Sequence, residues 1–599
     1  MNREGGGNLP GFFGYISPNN EVLNTEIELE DFISDSLYCV NDHLAFSYAN
    51  MHGHIFRNTV NKFMRDKVFE ENNTAVTVLD GIVLNSSELK HQVQLPQNTS
   101  MTEVINILNK QDELFFKYFK GSFSGASLNK QLNRFLLYTD QIGDKEVFYY
   151  YHNQSKTLYF GTGLVELARL IQKHLVKELT LNKNAAYSLL THGHVLCNET
   201  LVNEISRLTP GYYLMFDGDG LQKCAYYQLS NQPIEIDEEE AIRKIDDYFR
   251  NAIQLAFEKD REYGYKHLVA LSGGLDARMT TWVAHELGYP EMLNYTFSQT
   301  NYLDEKISKQ ITQDLNHEWL FKALDNGVYL YRYFDEAIAL SGGTSRSASL
   351  THTLSMLAQI NFKQYGLVHT GQLGDVVLGT YYKEGRKNNF YSGAGAESYR
   401  LIDKVHYSKE NAVNISDEEL FKFYNRGFTG INAGLVPMQK YTETISPFLD
   451  IDFLNFCLSL PIRYRRGHHI YIKWVNKCYP EAADYVYEKV NGKINKKIIT
   501  IKGVPIPWTS VPKAGLKFLK KKLKFNLKSK WHMNPLDYWY SNNPKLAGFY
   551  DDIFEQNIAL IQDKELKADC RRQFKEGTTS EKDQVITLLA SISKLKSIS

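Results

Sequence analysis

"HLVALSGGLDARMT", residues 267–280, is an apolar run that breaks off into Ser-Gly-Gly and, two residues later, an aspartate. His267 to Leu271 have the content of a short buried strand. Met279, Val283 and Leu287 recur at helical spacing, and Gly288 stands where a helix would stop. The stretch therefore predicts a strand, a glycine turn and a helix. Leu271, Ser272, Gly273 and Gly274 then border a helix N-terminus, whose unpaired N–H groups and partial positive charge suit a phosphate. A second stretch, "HTGQLGDVVLGTYY" at 369–382, repeats the form: Gly371 and Gly374 permit a tight backbone, and Asp375 ends the turn. Either aspartate alone could be a helix cap. Together, Asp276 and Asp375 offer the two carboxylates that Mg²⁺ takes beside bound phosphates. The chain has no G-x-x-x-x-G-K-[ST], so the expected guest is ATP with chemistry at its α-phosphate, not a γ-phosphate cradle.

Around these two turns the texture of the chain changes once. As far as about residue 230 it is rich in Tyr, Phe and Thr, and "AVTVLDGIVLN", "RFLLYTD", "VFYYYHN" and "TLYFGTG" predict strands of a largely antiparallel region. After "LSNQPIEIDEEE", Asp237 is placed to cap a helix whose Ile242, Ile245, Phe249, Ala252, Ile253 and Ala256 form one apolar stripe. Strands and helices then alternate, with "MLNYTFS" as the next strand, which predicts a parallel sheet. The expected division is 1–232, 233–510 and a helical extension, 511–599, that ends in a packed helix from "EKDQVITLLASIS".

The 599 residues carry 68 Lys+Arg against 69 Asp+Glu, so no global field recruits nucleic acid. No apolar stretch is long enough to span a bilayer, and "MNREGGGNLPGFF" lacks a secretory hydrophobic region, so a cytoplasmic location is expected. The six cysteines form no C-x-x-C pair and predict neither a disulfide frame nor a zinc site. "HGH" at 192–194 and "HH" at 468–469 lack a third ligand at suitable spacing and predict core or solvated histidines. "KAGLKFLKKKLKFNLKSKW" at 513–531 alternates Lys with Leu and Phe, the pattern of a basic face over the protein's own core or of a helix on an anionic surface.

The motifs resemble those of asparagine synthetases. Ser272-Gly-Gly-Leu-Asp276 is similar to that family's S-G-G-x-D-S pyrophosphate loop, and the 371–382 turn to its S-G-E-G-x-D-E-x-F-G-G-Y. "ETISPFLDIDFLNFCLSLP" at 443–461 resembles E-A-R-x-P-F-L-D with its following helix. In the front half, "LDGIVLNSSEL", "YTDQIGDKEVFYY" and "RLTPGYYLMFDGDG" resemble the family's glutamine amidotransferase domain. The resemblance implies an α+β front domain, an Ntn-type αββα sandwich, followed by an α/β domain with an adenine-nucleotide α-hydrolase-like parallel sheet. It also implies adenylation of a carboxylate by ATP with Mg²⁺, release of pyrophosphate and attack by ammonia or an amine. Ser272, Gly273, Gly274 and Asp276 would hold pyrophosphate, Asp276 and Asp375 the metal, and Leu271 and Gly371 the nucleotide. Lys489, preferred over Lys493, would stabilise charge in the transition state.

The departures from the pattern are as informative. "NLPGFFGYI" resembles C-G-I-x-G with Pro10 in place of the nucleophilic cysteine, Asn2 supplies no substitute, and Ile82 replaces the glutamate of N-G-E. Glutaminase activity is therefore not expected. Gln372 replaces the glutamate that helps deprotonate the attacking nitrogen, and an amide can orient but not act as a base. His369, Tyr381 and Tyr382 are the nearby alternatives in sequence. Ala277, Val376 and Ile445 also depart, which points away from aspartate and toward a sugar-acid or peptide carboxylate. The competing expectations are asparagine synthesis from free ammonia and a non-catalytic nucleotide-binding protein. A homodimer is compatible with either.

Overall fold

The computed structural model describes residues 9–19, 38–175, 177–381, 393–407, 417–496, 498–501, 504–507 and 529–596. Asn2, Tyr382 and all but the end of the basic 513–531 segment lie outside the described residues.

The front half contributes strands β1 (Gly11–Ser17), β2 (Cys39–Tyr48), β3 (Met51–Val60), β4 (Val68–Glu71), β5 (Ala75–Val83), β6 (Gly121–Asn129), β7 (Arg134–Thr139), β8 (Phe148–His152), β9 (Thr157–Gly161), β10 (Ser206–Arg207), β11 (Tyr212–Phe216) and β12 (Leu221–Ala225). They form two six-stranded sheets, in the orders β10-β8-β9-β1-β3-β2 and β12-β11-β7-β6-β5-β4. All neighbours in both are antiparallel. Strand β5 shows why they stack. Val76 and Val78 point into a core shared with Phe12, Ile16, Ile55 and Phe160 of the other sheet. Leu79 and Val83, one pleat over, face the helices Ser86–Gln92 and Met101–Gln111 with Leu89, Val104 and Leu108. The outer face of the first sheet is covered by the helices Leu164–Leu175 and Lys183–His192. The result is helix, sheet, sheet, helix, the Ntn-type αββα sandwich.

The second half builds a parallel sheet from β13 (Lys266–Ala270), β14 (Met292–Ser298), β15 (Glu318–Ala323), β16 (Tyr365–His369) and β17 (Thr444–Ile445). Its order is β15-β14-β13-β16-β17, and every neighbouring pair is parallel. The Glu238–Glu262 helix begins where Asp237 accepts from the Glu240 N–H at 3.0 Å, and its six-residue apolar stripe is buried throughout. That stripe packs into one cluster with Phe448, Phe453 and Trp474, and Phe63, Ile82, Leu84 and Ile142 of the front half join the same cluster. The helices Leu536–Asn542, Pro544–Asn557, Lys564–Glu576 and Thr579–Lys596 bury Leu546, Phe574, Val585 and Leu589 against the Leu164–Leu175 and Lys183–His192 layer of the front half. Among the described residues no helix is long and apolar enough to cross a membrane.

Charge also crosses between the halves. Glu443, just before β17, accepts from Lys67 at 2.8 Å and from Lys145 at 2.7 Å, and Asp80 on β5 lies 3.4 Å from Lys145 and 3.9 Å from Lys67. All four side chains are buried. Although burial raises the Asp80 carboxyl, Lys145, Lys67 and a hydrogen bond from Thr59 bring it down to about 2.

Candidate active site

From β13 the chain proceeds to β14 and β15 on one side, then returns to place β16 and β17 on the other. The loops leaving β13 and β16 therefore diverge from adjacent strands, and in open α/β sheets this point outside the carboxyl ends is where ligands bind. A cavity of about 650 Å³ opens there, lined by Leu271, Ser272, Gly274, Asp276, Gly371 and Gln372 among others.

The two loops interlock. A side-chain carbon on Gly371 would sit 2.3 Å from the Ala277 nitrogen, and one on Gly374 would sit 2.7 Å from the Asp276 carboxyl carbon, so both glycines are required by close approach. Between them Leu373 takes φ 64°, a left-handed conformation that a leucine adopts only under constraint. The contact brings the carboxylates together: the Asp375 N–H donates to Asp276 Oδ2 at 3.0 Å, and Tyr471 donates to Asp276 Oδ1 at 2.7 Å. Burial, then the Asp375 charge, push the Asp276 carboxyl well above the ordinary carboxylate range. Asp375 Oδ2 in turn accepts from Thr380 at 3.0 Å and from Lys489 at 3.2 Å. Lys493 is turned elsewhere and pairs with Asp484 at 3.0 Å.

Several residues stand differently from the sequence expectation. The Gly273 N–H does not face the cavity for a phosphate; it donates to Asp304 Oδ1 at 2.7 Å, because a buried carboxylate is a strong acceptor for an otherwise unpaired helix-terminal donor. Asp304 follows β14 as Asp276 follows β13, and its carboxyl is raised to about 6, chiefly by burial. The same signal, an acid after a predicted strand, stands in "NYLDE" and was missed. Gln372 lines the cavity with its amide nitrogen donated to the Ile431 carbonyl at 2.9 Å. His369 and Tyr381 do not line it. His369 is buried, bonded to Asp260 at 2.8 Å and stacked on Phe257, and burial pushes the Tyr381 hydroxyl up. His469 sits at the surface on Glu238, whereas His468 reaches Thr380 at 2.5 Å, one bond from Asp375.

Arg278, unassigned in the sequence, braces the site. Its guanidinium is fully buried and donates to the carbonyls of Ala482 at 3.0 Å, Val486 at 2.6 Å and Gly273 at 3.2 Å. One side chain therefore fixes the first loop to the segment that carries Lys489. Burial holds its pKa down to about 10, low for a guanidinium.

In the front half, Pro10 is buried and immediately precedes β1, which lies between β9 and β3 inside its sheet. The N–H of Phe12, two residues on, is held by Thr162 Oγ1 at 3.1 Å. No sulfur or hydroxyl nucleophile stands at position 10.

A glutamine amidotransferase domain model matches residues 60–227. No curated protein matches the chain. Among solved structures, the glutamine phosphoribosylpyrophosphate amidotransferase of B. subtilis complexed with ADP and GMP is 11% identical, with 46% of this chain and 77% of that chain covered and a TM-score of 0.22. An allosteric regulatory enzyme of purine biosynthesis is 11% identical over 52% of this chain and 75% of its own, with a TM-score of 0.23. NMN synthetase from Francisella tularensis is 14% identical over 31% and 78%, with a TM-score of 0.17. At such scores these likenesses carry no argument about the site. Residues 60–227 thus match a glutamine amidotransferase domain, and a five-stranded parallel sheet follows them in the chain.

Proposed function

We propose that the protein is an ATP-dependent amide ligase of the asparagine synthase type, which joins a carboxylate to AMP with release of pyrophosphate and passes the acyl group to ammonia or an amine without hydrolysing glutamine. The observation that supports this reading is the pair of interlocked glycine loops at the strand switch, with Asp276 bonded to the Asp375 backbone and Lys489 on Asp375. Two neighbouring carboxylates, one of them raised by burial and then by the charge of the other, form an oxygen donor set that fits a hard divalent cation. Bound there, Mg²⁺ would neutralise phosphate charge as pyrophosphate departs. Ser272 and the N-terminus of the Leu275–Glu286 helix would orient the phosphates, and Leu271, Thr296 and Gly371 would border the nucleotide. Lys489 would balance the charge that Asp375 and the leaving group share. Product analysis tests the reading: with a carboxylic acid and ammonium present, AMP and pyrophosphate are expected, and ADP as product would overturn it.

Gln372 has its amide N–H₂ committed to a carbonyl, so it orients the acyl end and takes no proton. With ammonia as donor, the amide-forming step should rise about tenfold per pH unit up to about pH 9, following the free base alone. A flat profile across that range would require a base within the site.

Pro10 makes a second expectation for the front half. Incubation with glutamine should release glutamate only at the background rate, and Pro10→Ala should leave that rate unchanged. Enzyme-dependent glutamate that responds to Pro10→Ala would contradict the loss of the nucleophile.

A further inference from the structure

Two N–H groups of the first glycine loop, of the kind a helix N-terminus offers to an anion, already have partners. Gly273 donates to Asp304 Oδ1 at 2.7 Å, and Gly274 donates to Ser272 Oγ at 3.2 Å. The second bond is a local one within the loop. The first is not, for it brings in a carboxylate from another element.

Asp304 stands in the first turn of the Leu303–Asp314 helix, is 6% exposed, and lines the same cavity as Ser272 and Gly274. Among the described residues no lysine or arginine pairs with it. Burial raises its carboxyl to about 6, with the Glu488 charge adding to the rise and the Gly273 N–H opposing it, so it is an anion above that pH. Packing keeps it against the loop. A side-chain carbon on Gly273 would lie 2.9 Å from Glu488 Cβ and 3.1 Å from Asp304 Oδ1, and the Glu488 N–H donates to the Gly273 carbonyl at 3.1 Å. Tyr302, two residues before Asp304, donates to Glu488. The loop therefore has two acids on its flank, while Arg278 is committed to carbonyls and Lys489 to Asp375. A buried carboxylate beside a phosphate loop opposes the phosphate twice, by its charge and by holding a donor that a phosphate oxygen would use.

We infer that Asp304 is a built-in competitor of pyrophosphate: its carboxylate holds the Gly273 N–H in the place of a phosphate oxygen, gives it up while ATP is bound, and takes it back as pyrophosphate departs. This rests on the ligase reading, which makes pyrophosphate the product. The contact lowers the loop's hold on that product. Release of product is a step that commonly limits turnover, and a carboxylate returning to the loop drives it forward.

The test is calorimetric titration of the full-length protein with magnesium pyrophosphate and, separately, with AMP, which lacks the departing phosphates. Asp304→Asn keeps an oxygen for the Gly273 N–H and removes the charge; Asp304→Ala removes both. At least one variant, and Asp304→Ala in any case, should bind magnesium pyrophosphate tenfold or more tightly than the native protein, with AMP affinity within twofold and an unchanged circular dichroism spectrum. A gain in Asp304→Ala alone assigns the competition to the hydrogen bond, and a gain in both assigns it to the charge as well. Unchanged or weaker pyrophosphate binding in Asp304→Ala overturns the inference, as does an equal gain for AMP, which would place the effect on the whole cavity. Either result leaves the ligase reading standing if the native protein catalyses ATP–pyrophosphate exchange. Pyrophosphate binding by neither the native protein nor the variants refutes both.

Discussion

Replacing either Asp276 or Asp375 by alanine is expected to reduce ATP–pyrophosphate exchange by at least about 10²–10³-fold, the loss that follows when one preorganised charge-stabilising group is removed from a site. The two variants should fail alike, since the Asp276 carboxylate is positioned by the Asp375 N–H and the Asp375 carboxylate faces the same loops. They should differ in one respect. Asp375→Ala also frees Lys489, whose ammonium loses the carboxylate at 3.2 Å, whereas Asp276→Ala leaves that pair intact. Raising Mg²⁺ should therefore restore part of the exchange in Asp276→Ala and less in Asp375→Ala. Exchange at the wild-type rate in both would remove the metal-side assignment and with it the ligase reading.

Glu443→Gln should lower stability by about 3–5 kcal/mol, the range for breaking a buried ion pair from one side. The change leaves Lys67 and Lys145 buried with Asp80 as their remaining carboxylate, at 3.9 and 3.4 Å. The cost lies less in lost attraction than in a second buried cation whose charge Asp80 alone is then left to balance. Adding Lys145→Met to Glu443→Gln should therefore recover much of the loss, which urea unfolding monitored by tryptophan fluorescence would show. An additive or larger loss in the double variant would mean that packing, not charge, sets the cost. The direction with pH is also fixed. Asp80 is held down to about 2, so its contribution is present above the ordinary carboxylate pKa and is lost as pH falls toward about 2.

What could be read from residues alone was local. The apolar run in "AVTVLDGIVLN" and the helical stripe after Asp237 each state their element directly, because a strand covered on both faces is apolar nearly throughout and a helix covered on one side keeps its period in the sequence. The glycine turns were legible for a similar reason: a close backbone approach admits no side chain, so Gly371 and Gly374 mark it. The groups around the loops that stayed hidden depend on distant pairings. Arg278 acts on carbonyls some two hundred residues away, at Ala482 and Val486. Asp304 takes the N–H of Gly273 across two strands. The histidines at 192 and 194, expected to be core or solvated, are buried, and their place in the cavity wall near the Arg426 charge is what the spacing did not report. Nothing in local spacing reports that neighbour.

The cavity wall also includes His532, Met533, Asn534 and Ser580, which lie far beyond the Gln372 turn in the chain. A ribosome that has just completed the Gln372 turn has about two hundred residues still to add before Ser580, roughly 10–40 s at ordinary elongation rates. Throughout that interval the glycine loops and the Asp276–Asp375 contact can form, but Arg346 lacks Ser580 and the Gln299 N–H lacks the Met533 carbonyl that closes the site beside it. Until then the nascent protein carries the two glycine loops without this part of their wall. On the proposed ligase reading, arrival of the Thr579–Lys596 helix is the step that would make the site retentive, and chains truncated before it should be folded in front yet lose the activated acyl group to water.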